Sequence, residues 1–256
     1  MPIVTFTSDF GSKDYYAAIF KGAILKTNPQ LNIIDICNNV KTYDIVQGAF
    51  ILKNAYASFP EGTIHLVSVN DFPSAKPCFI ALRHQGHYFI GPDNGIFSLM
   101  FEAIPKDIYE LEYLPETPSM LKEVYARAIG HIVNGLPFNE IGIPLDEIER
   151  RISIQAITSN DGIKGTIIHI DNYENLILNI DQSLFERIGK GRIFTLYFKR
   201  HEPISQLSGH YSDVPIGERL CFFNSSGYLE MAINMGRAAS MLGLKLGDGV
   251  ELRFAE

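Results

Sequence analysis

Through roughly the first 145 residues, apolar runs of strand length alternate with segments of helical period, the pattern of an α/β unit with a largely parallel sheet. Pro2 to Phe6 reads as the first strand. From Tyr15 to Lys26 the residues Tyr16, Ile19, Phe20, Ala23 and Ile24 share one face at helical spacing, and Asn28-Pro29 ends that helix. Asn32 to Asp35 is a short buried strand, Ile45 to Ser58 an apolar-faced helix and Thr63 to Val69 a further strand. Tyr88 to Ile90 leads into the turn Gly91-Pro92-Asp93-Asn94-Gly95. Leu121 to Asn134 is a third helix, closed by Gly135-Leu136-Pro137. To that point the order is doubly wound.

After Gly162 the pattern changes. Strand-like runs at Gly165 to Ile170, Leu176 to Asn179, Ile193 to Phe198, Arg219 to Phe223 and Leu229 to Ile233 are separated by turn residues instead of helices. An all-β, antiparallel, barrel-like second domain is expected. The charged stretch ending in Ser159-Asn160-Asp161-Gly162 is the natural joint, so the organisation is an α/β domain over 1–150, a linker over 151–161 and a β domain over 162–256. No repeat of 20 to 50 residues is present.

Composition narrows the partners. The chain has 256 residues, 46% of them hydrophobic and 20% charged, which suits a packed core and not a disordered chain. Acidic residues number 29 against 22 basic ones, and the isoelectric point near 5.5 argues against a phosphate-tracking surface for nucleic acid. The longest apolar runs, such as Ile163 to Ile170, fall short of a membrane span, and the opening MPIVTFTSDFG reads as a buried strand without a basic leader. A soluble, cytoplasmic protein is expected. Cys37, Cys78 and Cys221 have neither CxxC spacing nor an even count, so they read as small core residues.

Several polar clusters follow strands. Asp9, in Thr7-Ser8-Asp9-Phe10-Gly11, sits where ligands bind in open α/β sheets; it either holds a vicinal diol or caps a helix starting near Lys13. Asp93-Asn94-Gly95 is a ligand-touching loop or, on local grounds, simply a tight turn. Asn70-Asp71 closes a strand and either orients a water or polar ligand atom or starts a turn. Asp171-Asn172-Tyr173-Glu174-Asn175 is suited to an amino-acid head group, or is an ordinary Asx-rich loop. Asn224-Ser225-Ser226-Gly227 with Glu230 and Asn234 is a polar hairpin signal. The seven histidines include no HExxH, and His84 with His87 is a weak metal motif. There is no Walker loop, no GxGxxG after the first strand and no GxSxG elbow.

Taken in order, TSDFG, Asp14-Tyr15-Tyr16, Lys21-Gly22, Asn28-Pro29, Ile34-Asp35-Ile36, Tyr43-Asp44, Gly48-Ala49-Phe50, Ala55-Tyr56, Phe59-Pro60-Glu61-Gly62-Thr63, GPDNG, the Asp-x-Tyr-x-Asn box at 171–175 and NSSGYLE resemble the S-adenosylmethionine (SAM) hydroxide adenosyltransferases. These are relatives of the adenosyl-fluoride and adenosyl-chloride synthases. The similarity runs from Ile3 to about Gly247. It implies a trimer binding SAM between the α/β domain of one subunit and the β domain of the next, with a nucleophile attacking the ribose 5′ carbon and methionine leaving. No metal, and no cofactor beyond SAM as substrate, is implied. By position, Asp9 would hold the ribose hydroxyls and Tyr43 would pack on the sugar or base. Asp171, Asn175 and Ser225 would hold the methionine end, with Tyr173, Ser226 and Glu230 beside them. The backbone around Asn234 and Met235 would line the adenine pocket, and Asn94 belongs to the GPDNG loop.

The departures from the family concern the nucleophile. Hydroxide-transferring members carry an Asp in Val-Asp-Pro-Gly-Val-Gly, an Arg soon after it and a His in Phe-His-Gly-Arg-Asp. Here the first stretch is Val69-Asn70-Asp71-Phe72-Pro73-Ser74, which puts Asn70 at the Asp position and Lys76 nearest the Arg. The second is Ser119-Met120-Leu121-Lys122-Glu123, with Met120 where the His belongs. Glu174 stands in place of a glycine. Asn70 and Asp71 are the candidate catalytic residues. The expected function is binding of SAM or adenosine and adenosyl transfer to water, a halide or another nucleophile. The alternative is a non-catalytic binding homologue, and a metal-dependent hydrolase built on His84 and His87 is a third reading.

Overall fold

The structure, a computed structural model, describes residues 1–101, 103–113, 120–199 and 201–255. Ser119, in the stretch compared with the family's histidine motif, lies outside them. The chain divides into two compact units, Met1–Ser153 and Ile154–Glu256.

The first unit contains β1 (Ile3–Ser8), α1 (Tyr16–Thr27), β2 (Asn32–Cys37), α2 (Ile45–Ala55), β3 (Ile64–Ser68), β4 (Phe79–His84), β5 (His87–Pro92), α3 (Ile96–Met100), β6 (Asp107–Glu110), α4 (Leu121–Val133) and β7 (Ile143–Pro144). The sheet order is β2-β1-β3-β5-β4-β6-β7. The first four run parallel, and β4, β6 and β7 extend that edge antiparallel, so the sheet is mixed. The doubly wound pattern stops at the β4–β5 hairpin, which a two-residue Gln85-Gly86 turn closes with both residues at positive φ.

Strands buried on both faces need helices on both. Val4, Phe6, Ile64 and Leu66 pack with Ile24 of α1 and with Leu121, Val124, Tyr125 and Ile129 of α4. Val67, Val69, Ile80 and Phe89 pack on the other face with Ala49 and Leu52 of α2 and with Ile96, Phe97 and Met100 of α3. The helix expected over Ile45–Ser58 ends at Ala55 and tightens into a 3₁₀ turn over Tyr56–Ser58, because Pro60 cannot continue it.

The second unit contains β8 (Ile157–Thr158), β9 (Gly162–Ile170), β10 (Leu176–Asp181), α5 (Gln182–Gly189), β11 (Phe194–Tyr197), β12 (Arg219–Phe223), β13 (Tyr228–Ile233), α6 (Ala238–Leu242) and β14 (Gly249–Phe254). The antiparallel path is β11-β14-β9-β10-β13-β12, with β8 added on β9. Among the described residues β11 and β12 do not pair directly, isolated bridges at Leu196–Ile204 and Leu207–Cys221 tie the intervening segment to each, and the sheet is a curled half-barrel. Nor is the unit all-β. Asp181 caps α5 by accepting the Leu184 N–H, which starts a helix where the pattern showed only a gap. The stretch 151–161 holds a paired strand, so it is not wholly a linker.

Candidate functional site

β1 and β3 run side by side in register, Ser8 beside Ser68, so the residues that follow them emerge together at the carboxyl edge of the sheet. Asp9 is the focus of that edge. Its Oδ2 accepts the N–H of Tyr43 at 2.9 Å and of Asn70 at 3.3 Å, from two separate loops. Both donors sit in the left-handed region, Tyr43 at φ 66° and Asn70 at φ 51°, a conformation costing on the order of 1 kcal/mol outside glycine. Hydrogen bonds to one anionic oxygen offset that cost. Asp9 Oδ1 has no protein partner among the described residues and stays open at the half-buried edge. The helix-cap reading of Asp9 fails: α1 starts at Tyr16 behind Tyr15, and no side chain caps it.

Asn94 supports this edge from beneath. Its amide donates to the carbonyls of Val69 (2.9 Å) and Asn70 (3.0 Å), and its own oxygen accepts the Ile96 N–H. The buried side chain is thus committed within the chain, and Gly95 at φ 96° turns the backbone into α3. The Tyr43 ring is 71% exposed, and Met120, just before α4, is half-buried.

Asp71 points the other way. Only 8% exposed, it accepts hydrogen bonds from the Ser68 hydroxyl on Oδ2 and from the Tyr125 phenol on Oδ1, the latter at 3.1 Å. Burial pushes its carboxyl up to about 7, with the negative charge of Asp9 adding to the push and the two donors opposing it. The buried Tyr125 phenol lies well above its ordinary range, from burial and from Asp71 beside it. Neither Ser68 nor Tyr125 stood out in the sequence. The only signal was a tyrosine among the core-facing positions of α4, a polar tip that a buried setting must satisfy.

In the second unit, the β9–β10 connection folds around Asp171. Its Oδ1 accepts the N–H of Tyr173 (2.9 Å) and Asn175 (2.8 Å), and its Oδ2 accepts the Asn175 amide (3.1 Å). Asn175 is buried and also donates to the Tyr211 hydroxyl, which donates in turn to Glu230 Oε1; Asn224 donates to Glu230 Oε2. Burial raises the Glu230 carboxyl against those two donors, with Asp171 adding, and Tyr211 is pushed up to about 12 by burial and by Glu230. The Asp-x-Tyr-x-Asn box and the NSSGYLE hairpin are thereby one network, joined by a tyrosine that the sequence did not single out. Ser225, Ser226, Tyr173 and Met235 are exposed. The Asn234 amide donates to the Val214 carbonyl at 2.8 Å.

His84 and His87 face each other across the β4–β5 hairpin, and His87 is engaged from the other side by His65. His87 Nδ1 lies 3.1 Å from His65 Nε2, and His65 Nδ1 lies 2.7 Å from Thr5 Oγ1, a buried chain through β5, β3 and β1. Among the described residues no group of three or more His, Cys, Asp or Glu is placed to hold a metal ion, and no helix is long and apolar enough to cross a membrane.

Fold and site together define a two-unit protein, an α/β unit whose strand-end loops close on one carboxylate and an antiparallel unit whose hairpins close on a second acid–amide network. The chain belongs to the SAM hydroxide adenosyltransferase family: residues 4–142 match its N-terminal domain and 165–251 its C-terminal domain. It is 27% identical to the (R)-S-adenosyl-L-methionine hydrolase of Methanocaldococcus jannaschii, over 99% of this chain and 97% of that protein. It is also 27% identical to the fluorinase of Nocardia brasiliensis, over 98% and 97%. A crystal structure of an uncharacterized conserved protein from Thermotoga maritima superposes with a TM-score of 0.86 at 26% identity, covering 98% of this chain and 99% of that one.

Proposed function

We propose that the protein binds SAM and transfers its adenosyl group by substitution at the ribose 5′ carbon, releasing methionine. The observation that carries this is the Asp9 carboxylate, pinned through Oδ2 by two loops and open at Oδ1, which suits it to accept a hydrogen bond from a ribose hydroxyl. Matches to SAM hydrolases and fluorinases along nearly the whole chain support the reaction class. In this reading Tyr43 packs on the sugar or base. Asp171, Tyr173, Asn175, Ser225, Ser226 and Glu230 form or brace the methionine end, and the backbone at Asn234 and Met235 lines the adenine.

In the substitution step the nucleophile's lone pair forms the bond to the 5′ carbon while the carbon–sulfur bond breaks. Its electron pair neutralises the sulfonium. Alignment and exclusion of water do most of the work. Water as nucleophile must also lose a proton, and the residues around the edge serve that poorly. Asn70 can orient a water but cannot accept its proton, and Met120 is apolar. Burial raises the Asp71 carboxyl to about 7, but both its oxygens are engaged by Ser68 and Tyr125. A missing base is worth about 10²- to 10⁴-fold.

Hydrolysis of SAM by the wild type is therefore expected well below roughly one turnover per second, an ordinary enzyme rate. Chromatography of adenosine, 5′-halogenated adenosine and methionine after incubation with SAM in water, fluoride or chloride reads both rate and nucleophile. Turnover near that rate, abolished by Asp71→Asn, would overturn the slow-hydrolysis reading and give Asp71 the missing role. SAM binding without product in any of the three media would favour the non-catalytic homologue, a reading that the engaged Asp71 carboxylate supports.

The assembly proposed is a homotrimer. Light scattering should return three times 28.7 kDa; a monomer mass at micromolar concentration contradicts it.

A further inference from the structure

Asp71 is an unfavourable residue to bury. An asparagine there would also meet two hydroxyls, accepting one bond and donating the other, with no charge to desolvate. What an ionised aspartate does differently is accept from both. The Ser68 hydroxyl donates to Oδ2 and the Tyr125 phenol to Oδ1, so the end of β3 and helix α4 are drawn onto one side chain. The phenol has little freedom to leave, because the Tyr125 ring is fully buried against Phe20 and Phe79.

This buried cluster touches the Asp9 edge at two points. The Ser68 carbonyl accepts the Asp9 N–H at 3.3 Å, so Ser68 serves Asp9 with its backbone and Asp71 with its side chain. Asn70, the residue before Asp71, is strained at φ 51° and sends its N–H to Asp9 Oδ2. The Asn94 amide holds the carbonyls of Val69 and Asn70, and the inward-turned Asp71 side chain holds the next position, so the strained peptide is clamped from both sides. The titratable groups facing Asp71 are Tyr125 on α4 and Asp9 at the end of β1. Above a pKa of about 7 both hydroxyls donate to an ionised carboxylate; below it the carboxyl must give its own proton to one of them, which turns that contact round and leaves weaker, neutral bonds.

We infer that Tyr125 and Asp71 are positioning residues for ribose recognition: the phenol and the Ser68 hydroxyl hold Asp71 inward, and Asp71 holds Asn70 in the turn that keeps its N–H on Asp9. The inference rests on the reading of Asp9 as the acceptor for a ribose hydroxyl. It adds that a buried phenol on α4, which touches no ligand, sets how well that carboxylate is aimed. Discrimination between a ribose and a sugar without its hydroxyls therefore rises with pH as Asp71 ionises.

The test is calorimetric binding of adenosine and of 2′,3′-dideoxyadenosine at pH 6 and pH 8 to the wild type, Tyr125→Phe, Asp71→Asn and, as a control, Ile129→Val, which removes one methyl group from the same core on the same helix. At pH 8 the wild type should prefer adenosine by about 10- to 100-fold, the worth of a charge-assisted hydrogen bond. That ratio should fall by about threefold or more at pH 6, and by as much at pH 8 in Tyr125→Phe and Asp71→Asn, through weaker binding of adenosine alone. Asp71→Asn should show no pH step, and Ile129→Val should keep the wild-type ratio and its step. Loss of desolvated charge makes Asp71→Asn the more stable protein at pH 8, so its lower ratio does not come from unfolding. A wild-type preference that persists unchanged in Tyr125→Phe, that has no pH step, or that falls equally in Ile129→Val overturns the positioning role and leaves Asp9 as the ribose acceptor. Equal binding of the two nucleosides by the wild type, or binding of neither, overturns the reading of Asp9 and the inference with it.

Discussion

Asp71→Asn is expected to stabilise the protein at pH 8 by about 2–4 kcal/mol and to change little at pH 4. The folded protein holds the Asp71 proton up to a pKa of about 7, whereas an unfolded chain releases it near 3.8. A raised carboxyl pKa makes the folded state the better proton binder between those values, so stability falls as pH rises through that window. Below pH 3.8 both states are protonated and the penalty is absent; above 7 it is fully present. A gap of about three pH units corresponds to ~4 kcal/mol, from which ~1 kcal/mol is subtracted because the new amide must share Ser68 and Tyr125 differently. Urea unfolding followed by circular dichroism at pH 4, 6 and 8 measures it. An equal difference at all three values would mean that Asp71 is not buried as described.

The second large effect has the opposite sign. His65 is buried against Phe89 and His87, and burial first, then His87, pushes its pKa down to about 3. For a base with a lowered pKa the unfolded state binds more protons between 3 and 6.5. That contribution to stability is therefore full above pH 6.5 and is lost as pH falls, at ~1.4 kcal/mol per unit. The groups facing this ring are Thr5, His87 and Tyr56. His84, beside His87, is also held low by burial, and Glu61 pulls His87 slightly the other way. His65→Phe leaves Thr5 Oγ1 and His87 Nδ1 without their partner, costing about 2–4 kcal/mol at pH 7.5. At pH 4.5 the wild type carries a penalty of about 3 kcal/mol that the variant lacks, so the two stabilities should converge or cross. Parallel curves from pH 7.5 to 4.5 would show that His65 titrates normally. Between pH 3.8 and 6.5 the Asp71 and His65 slopes oppose each other, so the wild-type profile is flatter than that of either variant.

The sequence pattern located β1, α1, β2, α2, β3 and α4 within a few residues, but not their burial: β2, expected as a buried strand, is only partly covered, and Tyr16 and Ile19 on the expected inner face of α1 are exposed. It missed β4 and β6, which carry Arg83, His84 and Asp107; β4 is short and ends in the polar Arg83-His84, and β6 finds its partner β4 more than twenty residues back. It also missed β14, whose apolar positions Val250, Leu252 and Phe254 alternate with Glu251 and Arg253. In the candidate site, strand-end carboxylates such as Asp9 and Asp171 were legible because polar residues after an apolar run mark a loop. Direction was not. Nothing local distinguishes Asn70, at the half-buried edge, from Asp71, whose carboxyl turns inward, because that depends on the left-handed φ of Asn70 and on a phenol more than fifty residues later. Tyr211 was invisible for the same reason: it acquires its place only when separate hairpins are brought together.

Because Tyr43 and Asn70 both donate to one oxygen of Asp9, the two loops that carry them form a single interchangeable part. A loop transplanted from a relative at 41–43 brings its own backbone twist, and the shared carboxylate passes that twist to 69–71, where the candidate nucleophile-facing residues lie. A change of backbone in one loop is therefore felt by the other through Asp9. An engineer who wishes to reshape this edge of the sheet has to exchange both loops together and leave Asp9 in place.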